Sequence, residues 1–238
     1  MRVLLGSGGF RSQDRRANLH AEMRDFFGAA VEEIVFVPYA LHDHDAYVAA
    51  MRDQGFDGGY RLRGIHEFPD PKKAIEEAQA VYVGGGNSFR LVDDLQRLEL
   101  LAPLRARVQE GMPYMGVSAG TNVACPTMMT TNDMPIVHPK SFESLGIVPY
   151  QVNAHYFRGQ TWVKEGEELI EHFGETRDDR IREFHERNAT PVVGLYEGGF
   201  LRNEAGAVEL KYTGAVLFRP GQAPENFEAG FDISNALA

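Results

Sequence analysis

Short continuous apolar runs that end in glycine constrain this chain more than any other feature. Val3-Leu4-Leu5 runs into Gly6-Ser7-Gly8-Gly9, and Ala80-Val81-Tyr82-Val83 runs into Gly84-Gly85-Gly86-Asn87. Met112-Pro113-Tyr114-Met115 leads to Gly116-Val117-Ser118-Ala119-Gly120, and Ile34-Val35-Phe36-Val37 is a further run of the same kind. Strands apolar at every residue are buried on both faces, and they belong to sheets covered by helices. Between these runs the spacing turns helical. Leu19, Met23, Phe26 and Phe27 share one side of residues 17–27, and helices are expected over 46–54, Pro71–Gln79, Phe89–Leu98 and Leu100–Gln109. Residues 60–65 read as a weaker strand. The alternation implies an α/β fold, a mostly parallel sheet with right-handed crossovers and helices on both faces. Active sites in such sheets lie beyond the carboxyl ends of the strands, where the Gly84–Asn87 loop and Ser118 both fall.

The pentapeptide around Ser118 is a G-x-S-x-G sequence between a strand and a helix. Such a turn holds a serine hydroxyl at the tip of a strained elbow. The amide of Ala119 and the positive end of the following helix then face the point where an oxyanion would sit. The plainer alternative is a turn that only packs helix on sheet. The Gly84–Gly86 loop offers exposed amides, with Gly86 as a second oxyanion donor. No Gly-Lys-Ser/Thr follows it, which excludes an ATP-type phosphate loop. The Gly6–Gly9 cluster has the wrong spacing for a dinucleotide loop and reads as a strand end. His42 and His44, interleaved with Asp43 and Asp45, lack converging ligands from other segments, so an aspartate helix cap is expected there and no metal site.

Residues 121–137 read as an irregular loop, in which Asp133 is a turn former or a partly buried acid with a partner. A strand over Ile147–Val152 ends at Asn153-Ala154-His155, placing His155 where a base reaches Ser118; His138 is its rival. The charged stretch Glu165–Arg187 is expected to be helical with a break at Gly174. Thr190–Leu195 is a buried strand ending at Tyr196-Glu197-Gly198-Gly199. Phe200–Arg202, Val208–Leu210 and Ala215–Phe218 suggest an antiparallel C-terminal extension.

Composition sets the outer bounds. The 238 residues, 43% hydrophobic, suit one catalytic domain over 1–238, with no repeat or linker to divide it. A formal charge of -10 argues against nucleic acid or an anionic membrane as partner, since both need a basic face. A lone cysteine, Cys125, excludes a disulfide framework. No signal or membrane-spanning run is visible, so a cytoplasmic enzyme is expected. The oligomeric state stays open, a homodimer included.

Several segments together resemble peptidase E, the aspartyl dipeptidase family of serine peptidases. They are Val83–Phe89, Gly116–Gly120, Ala124-Cys125-Pro126-Thr127 with Thr130-Thr131-Asn132-Asp133-Met134-Pro135-Ile136-Val137, Asn153-Ala154-His155, and Gly174-Glu175-Thr176-Arg177 with Arg180–Glu183. The Thr-Thr-Asn-Asp-Met-Pro run is the most specific of them. The resemblance implies a fold like that of class I glutamine amidotransferases, with serine for their cysteine, no cofactor, and hydrolysis of dipeptides with an N-terminal aspartate. It implies Ser118 as nucleophile, His155 as base, Asp133 as third member of the triad, Gly86 and Ala119 as oxyanion donors, and Arg177 as the cation for the substrate aspartate. Amidotransferases carry a glutamate two residues after the histidine. Phe157 stands there, so the acid comes from elsewhere, with Glu197 as the alternative to Asp133. Two other readings stand beside this one: a related serine peptidase acting on an aspartyl polymer or another acidic substrate, and a non-catalytic binder of acidic ligands.

Overall fold

A computed structural model gives the fold and describes residues 1–237. The first half alternates as expected: β1 (Arg2–Gly6), α1 (Gln13–Phe27), β2 (Glu33–Val37), α2 (His44–Asp53), β3 (Arg61–Gly64), α3 (Pro71–Glu77), β4 (Val81–Val83), α4 (Ser88–Arg97), α5 (Leu101–Gln109), β5 (Tyr114–Val117) and α6 (Ala119–Ala124). The second half is richer in strand: β6 (Gln151–Tyr156), β7 (Trp162–Glu165), β8 (Glu168–Glu171), α7 (Arg177–His185), β9 (Val192–Tyr196), β10 (Phe200–Glu204), β11 (Ala207–Lys211), β12 (Ala215–Phe218), β13 (Glu225–Phe227) and α8 (Ser234–Leu237).

The larger sheet runs β11-β10-β1-β5-β4-β2-β3. Strands β1, β5, β4, β2 and β3 pair in parallel, while β10 and β11 extend the β1 edge antiparallel. A second sheet, β13-β12-β9-β6, contains one parallel pair, β6 with β9. Alternate residues along each central strand face opposite layers. Leu4, Ile34, Phe36, Tyr82 and Met115 pack with α1 and α2, while Val3, Leu5, Val35, Val81 and Tyr114 pack with α3–α6. The second of these cores also takes Val152, Val193, Leu195 and Leu217, so both sheets share it.

Local chemistry accounts for most element boundaries. Ser12, Asp43, Asp70 and Asn87 each cap a helix by accepting a backbone N–H. Asp43 Oδ1 accepts from Ala46 N at 2.9 Å, the cap expected beside His42 and His44. The His44 ring packs against Tyr39 and His66, and His66 pairs with Asp45.

Two expectations are corrected. Glu165–Arg187 is not one broken helix. Its first part forms the exposed hairpin β7–β8, because β-favouring Trp162, Val163, Leu169 and Ile170 flank a turn at Gly166, whose φ is 63°. Helix α7 starts only where Thr176 and Asp179 form a reciprocal capping box. The strand expected over Ile147–Val152 is displaced to Gln151–Tyr156. The amides of Ile147 and Val148 bond back to Ala124 O instead, and Pro149 has no N–H for a ladder.

The elbow itself is packed to the limit. A Cβ on Gly116 would collide with Gly120 O, and one on Gly120 with Val83 O. Gly120→Ala is therefore expected to lower stability by about 3 kcal/mol, as overpacking against rigid backbone does; urea denaturation measures it.

Candidate active site

Ser118 sits between β5 and α6 with φ 55° and ψ -110°, a conformation an L-residue adopts only under strain. Its environment holds it there: Ser118 N donates to Gly6 O, and Thr121 Oγ1 lies 2.8 Å from Gly6 O and 2.9 Å from Gly116 O. The strand-to-helix elbow read from the sequence is thus present.

His155 comes to Ser118 from the second sheet through a bulge. The β6–β9 register shifts between Asn153 and Tyr156, and His155 has φ 55° within it. A bulge re-aims a side chain and frees a backbone amide from the ladder. The freed His155 N donates to Ser7 Oγ at 2.8 Å, and the fully buried Ser7 hydroxyl donates to Leu195 O at 2.9 Å. The imidazole then lies with Nε2 2.8 Å from Ser118 Oγ and Nδ1 2.6 Å from Glu197 Oε1.

Glu197 follows β9, and the structure gives it the position beside His155 that the family resemblance assigned to Asp133. Asp133 Oδ2 accepts instead from Ser88 N, Ser88 Oγ and Thr131 Oγ1, at 2.7, 2.7 and 2.9 Å. Those bonds tie Asp133 to the first turn of α4, where backbone N–H groups and the helix dipole hold a carboxylate. Its side chain is committed to fastening the 121–137 loop beside the Gly84–Asn87 turn.

Electrostatics define the protonation pattern. The hydrogen bond from His155 holds the Glu197 carboxyl below its usual range, with help from the His155 and Arg15 charges and against the cost of burial. A carboxylate only accepts, so Nδ1 carries a proton toward Glu197, and in the neutral form of the ring Nε2 is the acceptor for the Ser118 hydroxyl. The Gly6–Gly9 cluster, a strand end by sequence, also serves this relay. A Cβ on Gly8 would meet His155 Cε1 at 2.5 Å, and one on Gly9 would overlap the Glu197 carboxylate. Only the spacing of Gly8 and Gly9 after β1 hinted at this, and it gave no partner.

Opposite the relay lie two candidate donors. The Gly86 amide has no acceptor among the described residues, and the Ala119 amide, first in α6, has none within its helix. Tyr47 OH donates to Gly85 O at 2.9 Å. Because the peptide is trans, that bond turns the Gly86 N–H to the opposite side.

Arg177, the first residue of α7, reaches toward β6. Its Nη1 donates to Asn132 Oδ1 at 2.5 Å, and Asn132 Nδ2 donates to Ala154 O, next to His155. Its guanidinium lies 5.3 Å from the Phe157 ring centre. No carboxylate pairs with it among the described residues: Glu175 pairs with Arg180, and Asp178 accepts from Tyr156 OH. Nε is buried without a partner, and burial with the nearby Arg180 charge lowers its pKa. A half-buried cation without a counter-ion is a place for an anion. His138, the rival base, is exposed. No group of three or more His, Cys, Asp or Glu side chains among the described residues is arranged to hold a metal.

The model of peptidase family S51 matches residues 3–211. The chain belongs to peptidase family S51. Among its relatives, peptidase E of Streptomyces coelicolor is 49% identical over 212 residues, covering 89% of this chain and 84% of that one. A probable alpha-aspartyl dipeptidase of Drosophila melanogaster is 40% identical over 238 residues, covering 99% and 96%. A crystal structure of a peptidase from an acI-B1 Actinobacterium superposes with a TM-score of 0.68 at 15% identity, covering 98% of this chain and 96% of that one. At that identity it supports the shared fold alone.

Two tests follow from the relay of this S51 member. Glu197→Gln should lower kcat about a thousandfold or more by favouring the wrong imidazole tautomer, whereas Asp133→Asn should cost far less; steady-state kinetics of both variants read the difference. Because the Glu197 pKa is depressed on folding, its contribution to stability is complete above its ordinary value of 4.5 and is lost as pH falls through the lower folded value. The stability gap between wild type and Glu197→Gln should therefore be constant above that pH and close below it, which denaturant titrations at stepped pH measure.

Proposed function

We propose that this S51 enzyme, of the serine-dipeptidase class, hydrolyses the peptide bond after an N-terminal aspartate. The observation that carries the reading is the continuous relay Glu197–His155–Ser118, with the acceptor-free amides of Ala119, next in sequence, and Gly86, in the same cavity lining. Ser118 Oγ attacks the carbonyl carbon while His155 Nε2 takes its proton. The amides of Gly86 and Ala119 hold the oxyanion, each worth about 3 kcal/mol in the transition state. Glu197 stabilises the imidazolium. When the C–N bond breaks, His155 returns the proton to the leaving amine. A water deprotonated by His155 then releases the acyl group.

Arg177 supports aspartate as the acyl residue. Its fork is free of protein carboxylates, and a planar guanidinium binds a carboxylate through two parallel bonds. Asn132 and Phe157 hold it in place. The names of the relatives agree with the same substrate class. Residues 1–238 act as one catalytic unit in this reading, since both sheets build one core. No helix among the described residues is long and apolar enough to cross a membrane. A cytoplasmic site of action and a small acidic peptide as substrate complete the proposal.

The test is hydrolysis of Asp-p-nitroanilide beside the Leu and Glu compounds. Turnover of the Asp compound, abolished in Ser118→Ala and reduced at least about tenfold in kcat/KM by Arg177→Met, is expected. Equal turnover of the Leu compound, or full activity in Ser118→Ala, would overturn the reading.

A further inference from the structure

A cavity of about 550 Å3 opens beside Ser118 and His155, within the range of about 300–1,000 Å3 that holds small ligands. Arg177 is not among its lining residues. The unpaired cation and this largely apolar basin are therefore separate surfaces. Leu41, Tyr47, Met51 and Phe56 contribute to its walls, and Tyr82 and Val117 reach it from the sheet.

Two further observations define what enters. Ser118 and His155 both line the cavity, and in the proposed reaction His155 Nε2 protonates the departing nitrogen, so the basin is open to a leaving residue. Arg11, exposed beside the glycine cluster, also lines it and has no carboxylate partner among the described residues. The residue released from a dipeptide ends in a free carboxylate, which a planar guanidinium fork binds through two parallel hydrogen bonds.

We propose that this cavity receives the residue on the leaving side of the cut, favouring a large apolar side chain such as Leu or Phe, and that Arg11 binds its terminal carboxylate. The proposal rests on the Asp-X reading above. On this proposal charge would favour dipeptides, because extending the chain moves the terminal carboxylate away from Arg11.

The test compares kcat/KM for Asp-Leu, Asp-leucinamide, Asp-Phe and Asp-Gly. Wild type should favour Asp-Leu over its amide by about tenfold, the factor set by one charge-assisted contact of 1.4 kcal/mol. Arg11→Gln should erase that ratio, and Arg11→Lys should restore part of it. Ala50→Trp, which adds bulk at a lining position on α2, should lower the Asp-Phe to Asp-Gly ratio. An unchanged acid-to-amide ratio in Arg11→Gln, or a wild-type preference for Asp-Gly over Asp-Leu, would overturn the pocket assignment while leaving Asp-X hydrolysis intact. Turnover of none of the four by wild type would overturn the Asp-X reading and the pocket with it.

Discussion

The site depends on one buried hydroxyl. Ser7 Oγ accepts from the amide of His155 and donates to the carbonyl of Leu195, joining the end of β1 to two strands of the second sheet. Without that bridge the bulge in β6 would leave a part-buried backbone amide unpaired, at a cost comparable to a lost hydrogen bond. With it, Ser118 beyond one sheet and His155 on the other lie within a hydrogen bond. A serine is small enough to sit between the sheets, and its hydroxyl both donates and accepts.

Strain and close packing then keep the parts in place. Ser118 and His155 both hold positive φ, and both are over-determined by backbone hydrogen bonds. Glycines let neighbouring chain approach where any side chain would intrude, at Gly120 under Val83 and at Gly8 beside the imidazole. Thr130, Thr131, Asn132 and Asp133 form a clamp of side-chain bonds to β6, α4 and α7. That clamp explains how the most distinctive stretch of the sequence bears on the site without supplying the relay's acid. It fixes the loop beside the Gly84–Asn87 turn and the arginine beside the histidine.

Charge placement follows the same economy. Asp133 is spent on a helix N-terminus, and Glu197 remains for the imidazole. Arg177 is held by an amide oxygen and an aromatic face, both of which leave its charge uncompensated. Neutralising it with a protein carboxylate would fill a place that is open to an anion.

Much of this was legible in the chain. Continuous apolar strands between helical stretches dictate a parallel sheet, because only burial on both faces tolerates such strands. The glycines around Ser118 dictate an elbow, and the run Asn153-Ala154-His155 after an apolar stretch marks a histidine for the same end of the sheet. The acid was not legible, since Asp133 and Glu197 both follow plausible loops and the choice turns on which carboxyl is already taken by Ser88. The hairpin at 162–171 was hidden by its charges, which a strand with both faces in water carries as readily as a helix does. Nor did the sequence disclose Ser7, whose role exists only where two sheets meet. The sequence by itself determined the periodicities, the elbow and the chemical groups available. Tertiary structure decided which of those groups meet, because hydrogen bonds across sheets depend on distances that no local pattern encodes.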